Sequence, residues 1–321
     1  MEVVRGAEAL PSPEGPNVVT VGFFDGVHLG HQAVITRTVS IAHARALPSI
    51  AVTFDRHPRE VFAPGTEPRQ LTSPARKAEL IEALGVDTLL VLAFTEEFSR
   101  VPADEFAKQI LVEQLRAEHV VVGENFTFGH KALGNVETLI ELGGTLGFGA
   151  EGVPLLEVAG RTVSSTAIRQ ALADGDVIWP RLSLGRRYRV DGRVGEGAGR
   201  GRALGWPTAN LDLPPKMLLP GKGVYAGKAT LPGGRWTAAV NVGTNPTFGV
   251  EPLHLEAFLL DFDGDIRGEE MSVEFWERVS AEERFDSIEA LVEKIATDVR
   301  RTRDIVAAEE TEETEESEGT R

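Results

Sequence analysis

Two imidazoles three residues apart, His28 and His31, close the run Gly22-Phe23-Phe24-Asp25-Gly26-Val27-His28-Leu29-Gly30-His31. Imidazole N–H groups suit phosphate oxygens, and glycines such as Gly22 and Gly30 let a ligand approach the main chain. The run lies between an apolar stretch, Asn17 to Val21, and a segment with helical periodicity from Gln32. A strand that breaks at glycines and reopens as a helix offers backbone N–H groups and a positive helix end to an anion. The chemistry to expect there is on the phosphates of a nucleotide. A polar turn, Arg161-Thr162-Val163-Ser164-Ser165-Thr166, precedes another helical segment, and its hydroxyls suit a helix cap or a phosphate. A second site is expected near residue 210.

The elements that must position these residues change character near Gly175. From Asn17 to that point, β-branched runs (Val18 to Phe23, Ile50 to Phe54, Thr88 to Phe94, His119 to Val122) alternate with helical patterns. Those patterns cover Gln32 to Ala46, Pro74 to Leu84, Ala103 to Ala117 and Val136 to Leu146. Such alternation predicts a mostly parallel sheet with helices on both faces and ligands at the carboxyl ends of its strands. The loops at Phe23 to His31, Phe54 to Pro58 and Gly123 to Gly129 fall where those ends should be. Beyond Gly175, short alternating runs with Gly and Pro turns predict an antiparallel barrel or sandwich. A final amphipathic helix from Ser287 to about Val306 should pack on it.

Composition narrows the function. The chain has 321 residues, a length suited to two domains. It has no cysteine, which removes disulfides, thiolate metal sites and cysteine nucleophiles. The first eight residues hold one arginine and no apolar core, so no secretory leader is expected and the expected address is cytoplasmic. No run approaches a bilayer span, so no membrane is expected as a partner. A net charge of −16 argues against nucleic acid. Glu309 to Glu318 supplies seven of the acids, and this stretch is expected to be disordered and solvated.

Five motifs together resemble the prokaryotic bifunctional riboflavin kinase/FAD synthetase family. They are the 22–31 run, Thr53-Phe54-Asp55-Arg56-His57-Pro58-Arg59, Gly123-Glu124-Asn125-Phe126-Thr127-Phe128-Gly129, Ser164-Ser165-Thr166-Ala167-Ile168-Arg169 and Gly205-Trp206-Pro207-Thr208-Ala209-Asn210. The resemblance runs from Asn17 to Val306 in order. It implies an α/β chain with a Rossmann-like nucleotidyltransferase domain with a parallel sheet at 1–180. An antiparallel β-barrel kinase domain with a terminal helix follows at 181–307, then a disordered acidic tail at 308–321. ATP is the implied co-substrate of both reactions, with riboflavin, FMN and FAD as substrates and products and Mg²⁺ as cofactor. Homo-oligomer formation is left open.

For adenylylation, an FMN phosphate is already anionic near neutral pH, its second pKa being about 6. Catalysis should then be alignment and charge stabilisation rather than proton removal. The resemblance assigns His28 and His31 to that work. Gly22, Phe23, Asp25, Gly30 and Asn125 would form the nucleotide and phosphate site, and Ser164, Ser165, Arg169 and Arg161 would clamp the leaving pyrophosphate. Asn125 and Thr127 stand where the family commonly has Asp and Arg, so no charged contact is expected from them.

For phosphorylation, the riboflavin hydroxyl is a weak nucleophile that benefits from a carboxylate base. Glu256 matches the family's base, and on an alternating strand it points away from Leu255 and Ala257. Thr208 and Asn210 supply neutral oxygens suited to Mg²⁺. The glycine-rich run 195–205, with Gly201 and Arg202, resembles the family's phosphate-covering loop. Arg267 and Ser280 depart from residues that the family often has there. Competing readings are a kinase whose first module is inactive, a flavin-binding module without catalysis, and an aminoacyl-tRNA synthetase-like ligase suggested by His28 to His31 alone.

Overall fold

The computed structural model describes residues 1–6, 15–196, 205–244, 253–283 and 285–319. Its contacts divide the chain into two units, Met1–Ser165 and Thr166–Arg321.

The first unit is built on six strands: β1 (Glu2–Arg5), β2 (Asn17–Val21), β3 (Ser49–Phe54), β4 (Thr88–Leu92), β5 (Ala117–Gly123) and β6 (Gly149–Val153). They lie in the order β1-β4-β3-β2-β5-β6, and every pairing is parallel. The parallel sheet with helices is therefore as expected, although β1 and β6 were not foreseen. Short length hid the first, and the glycines in Gly149-Ala150-Glu151-Gly152 hid the second. All five residues of β2 are buried. Its neighbours, β3 and β5, are reached by connections running in opposite directions across the sheet, so the strand order reverses at its carboxyl end. Ligands collect at such a reversal, and the Gly22 to His31 run begins there.

The helix after β2 spans Leu29–Arg45, three residues earlier than expected, because His28 serves as its N-cap. The segment expected as one α-helix from Ala103 is α-helical to Phe106 and π-helical over Ala107–Gln114. Pro74–Glu82 and Val136–Leu146 are helical as expected. A two-stranded ribbon, β7 (Glu157–Val158) with β8 (Arg161–Thr162), leads to the helix Ser165–Ala173.

The second unit holds a closed antiparallel barrel in the order β10-β13-β12-β11-β14-β9. Its strands are β9 (Tyr188–Gly195), β10 (Ala209–Asp212), β11 (Gly223–Leu231), β12 (Gly234–Gly243), β13 (His254–Leu259) and β14 (Glu270–Ala281). Tyr188, Tyr225, Phe275 and Trp276 are fully buried. The terminal helix, Ile288–Gly319, presents Val306 to Ala226, Trp276 and Val279 of the barrel.

That helix corrects one expectation. The acidic stretch from residue 308 was expected to be a disordered tail, yet the helix continues through it to Gly319. Its carboxylates meet cations: Glu309 pairs with Arg181 at 2.8 Å and with Arg187, Glu313 pairs with Arg187, and Glu310 pairs with Lys228 at 2.7 Å. Composition alone cannot show that an acidic run has basic partners elsewhere in the fold.

Candidate functional sites in the two units

The loop between β2 and its helix is a strained turn tied down from several sides. Phe24 and Val27, both buried, hold positive φ of 51° and 39°, conformations that side chains adopt only when their surroundings enforce them. A Cβ on Gly22 would meet the Phe24 ring at 2.7 Å, so only glycine fits there. The Asp25 carboxylate accepts from the backbone N–H groups of Leu71 and Thr72, at 3.0 and 3.2 Å. Ser165 donates through Oγ to the Asp25 carbonyl at 2.9 Å. The predicted residues Asp25 and Ser165 are thereby joined.

His28 Nδ1 accepts the His31 backbone N–H at 3.3 Å. With Nδ1 accepting, the hydrogen of a neutral imidazole lies on Nε2. The two rings stack, centroids 3.6 Å apart, and the Phe24 ring meets His31 edge-on at 5.4 Å. A Cβ on Gly30 would come within 3.2 Å of the His28 ring. The pair is thus a stacked unit at a helix N-terminus, a place that favours anions.

Lys77 was not singled out in the sequence. Its ammonium donates to the Phe23 carbonyl at 3.1 Å and to Thr53 Oγ1 at 3.2 Å. Burial lowers its pKa, and the nearby Asp25 charge partly offsets that shift. Only the inward placement of one helix residue distinguishes it from other lysines, and no motif carries that signal. His57, in contrast, is accounted for structurally. Its Nδ1 caps the short helix Pro58–Phe62, with Glu60 completing a capping box.

Beside this loop opens a cavity of about 700 Å³ lined by Phe23, Phe54, Phe62, Phe94, Phe98 and Phe126 among others. The rings touch one another: Phe23 to Phe54 at 5.1 Å and Phe54 to Phe94 at 5.6 Å between centroids. Phe23, expected near phosphate, lines this aromatic wall. The signal was available, since ten of the chain's 15 phenylalanines precede residue 150. Asn125 sits exposed at the end of β5, in a turn closed by the Phe126 N–H to the Gly123 carbonyl. Arg161 is exposed on β8, and Ser164 directly precedes the helix that carries Arg169 one turn beyond Ser165.

In the barrel, Asn210 on β10 lies in register opposite Glu256 on β13, which in turn lies opposite Asn241 on β12. Leu255 and Ala257 point inward and are buried, so Glu256 faces the other side, as alternation predicts. Thr208 Oγ1 donates to Glu256 Oε2 at 3.1 Å. A cavity of about 510 Å³ opens beside Thr208 and Asn210 and extends to Phe262, Asp263 and Arg267. Arg267 is engaged by Asp265. Ser280 donates to Asp298 of the terminal helix at 2.9 Å. Gly201 and Arg202 lie outside the described residues.

Comparison with known proteins assigns each unit. Residues 11–167 match the family model for FAD synthetase, and residues 184–306 match that for riboflavin kinase. The bifunctional riboflavin kinase/FMN adenylyltransferase of Pseudomonas fluorescens is 39% identical over 308 residues, covering 96% of this chain and 98% of its own. The chain belongs to the bifunctional riboflavin kinase/FMN adenylyltransferase family. The Bacillus subtilis (strain 168) family member is 36% identical over 294 residues, covering 90% of this chain and 92% of its own. A crystal structure from Streptococcus pneumoniae, described as a macrolide-efflux protein, is similar with a TM-score of 0.85 and 30% identity. It covers 94% of this chain and 99% of that one. No helix among the described residues is long and apolar enough to cross a membrane. Within the family frame, the stacked histidines belong to the FAD synthetase half, and the Thr208–Glu256 pair belongs to the riboflavin kinase half.

Proposed function

We propose that this chain runs two ATP-dependent transfers in series. Riboflavin and ATP give FMN and ADP, and FMN with a second ATP gives FAD and pyrophosphate. The carrying observation is that both halves of the bifunctional relatives are matched along nearly the whole chain. Residues 1–180 are proposed as the adenylyltransferase domain and 181–307 as the kinase domain. The proposed address is the cytoplasm, where ATP and flavins are at hand.

In the adenylyltransferase, the aromatic cavity suits a flat tricyclic flavin, and the stacked His28 and His31 stand at the helix end where phosphates would gather. His28, its hydrogen on Nε2, and His31 act as donors to phosphate oxygens as charge shifts from the FMN phosphate to the leaving pyrophosphate. Asp25 is proposed to hold the loop rather than the ligand, since its carboxylate is taken up by backbone amides. Gly22 and Gly30 give the backbone room, and Ser164, Ser165, Arg161 and Arg169 are proposed for pyrophosphate. Asn125 contributes neutral contacts to nucleotide or flavin phosphate.

In the kinase, Glu256 takes the proton of the riboflavin hydroxyl as it attacks the γ-phosphorus. The donor set fits magnesium: Thr208 gives its hydrogen to Glu256, which leaves its oxygen lone pairs for a cation, and Asn210 adds a carbonyl. Among the described residues no cluster of three His, Asp or Glu side chains could hold a metal by itself. That suits an ion that takes most of its ligands from ATP phosphates and water. When bound, magnesium would neutralise phosphate charge. Gly201 and Arg202 are proposed to cover the phosphates.

The test is incubation of the purified chain with riboflavin, ATP and magnesium, with FMN and FAD resolved by chromatography. Both products are expected. FMN without FAD, also when FMN is supplied, would leave only the kinase, and neither product would overturn the reading.

A further inference from the structure

His254 opens β13 two residues before Glu256, so the two side chains share a face of the strand. Its Nε2 lies 3.5 Å from Glu256 Oε1, while Thr208 Oγ1 reaches Oε2 at 3.1 Å. The two carboxylate oxygens are thus approached by two different donors from two different elements. In ligand-free sites catalytic contacts of this kind run long and tighten when substrate binds.

We propose that His254 is a positioning residue for the kinase base: its imidazole donates to Glu256 Oε1 and holds the carboxylate plane towards the Thr208 and Asn210 turn. The inference rests on the kinase reading of Glu256 given above. A glutamate has three rotatable bonds, and one donor on one oxygen leaves the carboxylate free to swing about that contact. A second donor on the other oxygen removes that freedom, and the alignment of a base with its proton sets its efficiency.

The surroundings leave His254 in reach of Glu256. Across the ladder, His254 lies opposite Gly243, which has no side chain to displace it. Among the described residues, Glu282 lies beside Gly243, where a Cβ would meet its Oε1 at 3.5 Å, and it pairs with Lys222 at 3.3 Å. Lys222 also donates to Thr244 Oγ1 at 3.0 Å.

Three variants test the inference in the full chain: His254→Leu, which removes the donor; His254→Gln, whose amide N–H can reach the same oxygen; and Glu256→Gln. FAD formation from supplied FMN serves as the folding control, and kcat and KM of riboflavin phosphorylation are the readouts. His254→Leu is expected to lower kcat about tenfold, part of the roughly 10²–10⁴-fold that a positioned base supplies. KM for riboflavin and ATP should stay near wild type, and His254→Gln should recover most of the loss. An unchanged kcat in His254→Leu, no recovery in His254→Gln, or a KM rise with kcat intact would overturn the inference. Loss of adenylylation in these variants would also overturn it, since the role would then be general support of the fold. Wild-type Glu256→Gln activity would instead overturn the kinase reading itself.

Discussion

Thr208 and Glu256 are joined by a hydrogen bond of 3.1 Å from hydroxyl to carboxylate. One residue is proposed for a cation and the other for a proton, so a single contact ties the two proposed roles together. Replacing the carboxylate by an isosteric amide removes the proposed base and keeps the shape. Glu256→Gln is expected to lower FMN formation by about 10²–10⁴-fold while FAD formation from added FMN persists. Chromatography of the two flavins checks this, and equal loss of both products would contradict it.

The same contact predicts a metal phenotype. Thr208→Val keeps volume and branching but removes the hydroxyl that donates to Glu256 and is proposed to hold magnesium. Kinase half-saturation by magnesium should rise about tenfold, equivalent to 1.4 kcal/mol. The magnesium dependence of adenylylation should not move. Titration of the metal at saturating ATP distinguishes the two activities.

His28 does two jobs that substitution can separate. Its Nδ1 caps the helix Leu29–Arg45, and its imidazole is the proposed donor to a phosphate oxygen. His28→Ala should lose adenylylation and about 1 kcal/mol of stability through the lost cap. His28→Asn restores a good capping side chain but not the imidazole. It should recover stability in a denaturant titration and still make no FAD, whereas recovery of FAD would reduce His28 to a cap.

What the sequence made legible is what local pattern encodes. Val18 to Val21 read as a buried strand, His28 to His31 as a helix entrance, and Leu255-Glu256-Ala257 as alternation that turns the carboxylate outward. Contacts between distant segments were not legible. The Lys77 ammonium meets Phe23 and Thr53 only after three chain segments assemble. The aromatic cavity likewise draws Phe54, Phe94 and Phe126 from separate chain segments. The helical acidic end was misread because its basic partners lie more than 80 residues away along the chain.

Lys77 yields a pH prediction whose sign follows from burial. Its folded pKa lies below the ordinary 10.5, so between those values the unfolded chain binds more protons than the folded one. The cost of burying the ammonium is full below the folded pKa and vanishes as pH rises to 10.5, so stability rises with pH across that window. Lys77→Met should flatten that rise in urea titrations taken at successive alkaline pH values. It should also weaken adenylylation, since the Phe23 carbonyl loses its donor, and leave FMN formation intact.

The terminal helix gives the last prediction. Arg187 stacks 3.5 Å over the buried Trp276 ring, and its side chain is only 9% exposed. Its guanidinium is therefore largely removed from water and depends on Glu309 and Glu313 for compensation. Neutralising both carboxylates by Glu309→Gln and Glu313→Gln leaves that cation nearly alone in a low-dielectric setting. A cost of about 1–3 kcal/mol follows from stranding a buried charged donor, or a fall of roughly 2–10 °C in the melting temperature of the barrel. Catalytic groups are untouched, so FMN formation below the transition should persist. Arg187→Met combined with the two glutamines should recover stability, because the buried charge that needed partners is then gone. If the double glutamine variant melts with the wild type, the acidic helix contributes no electrostatic hold on the barrel.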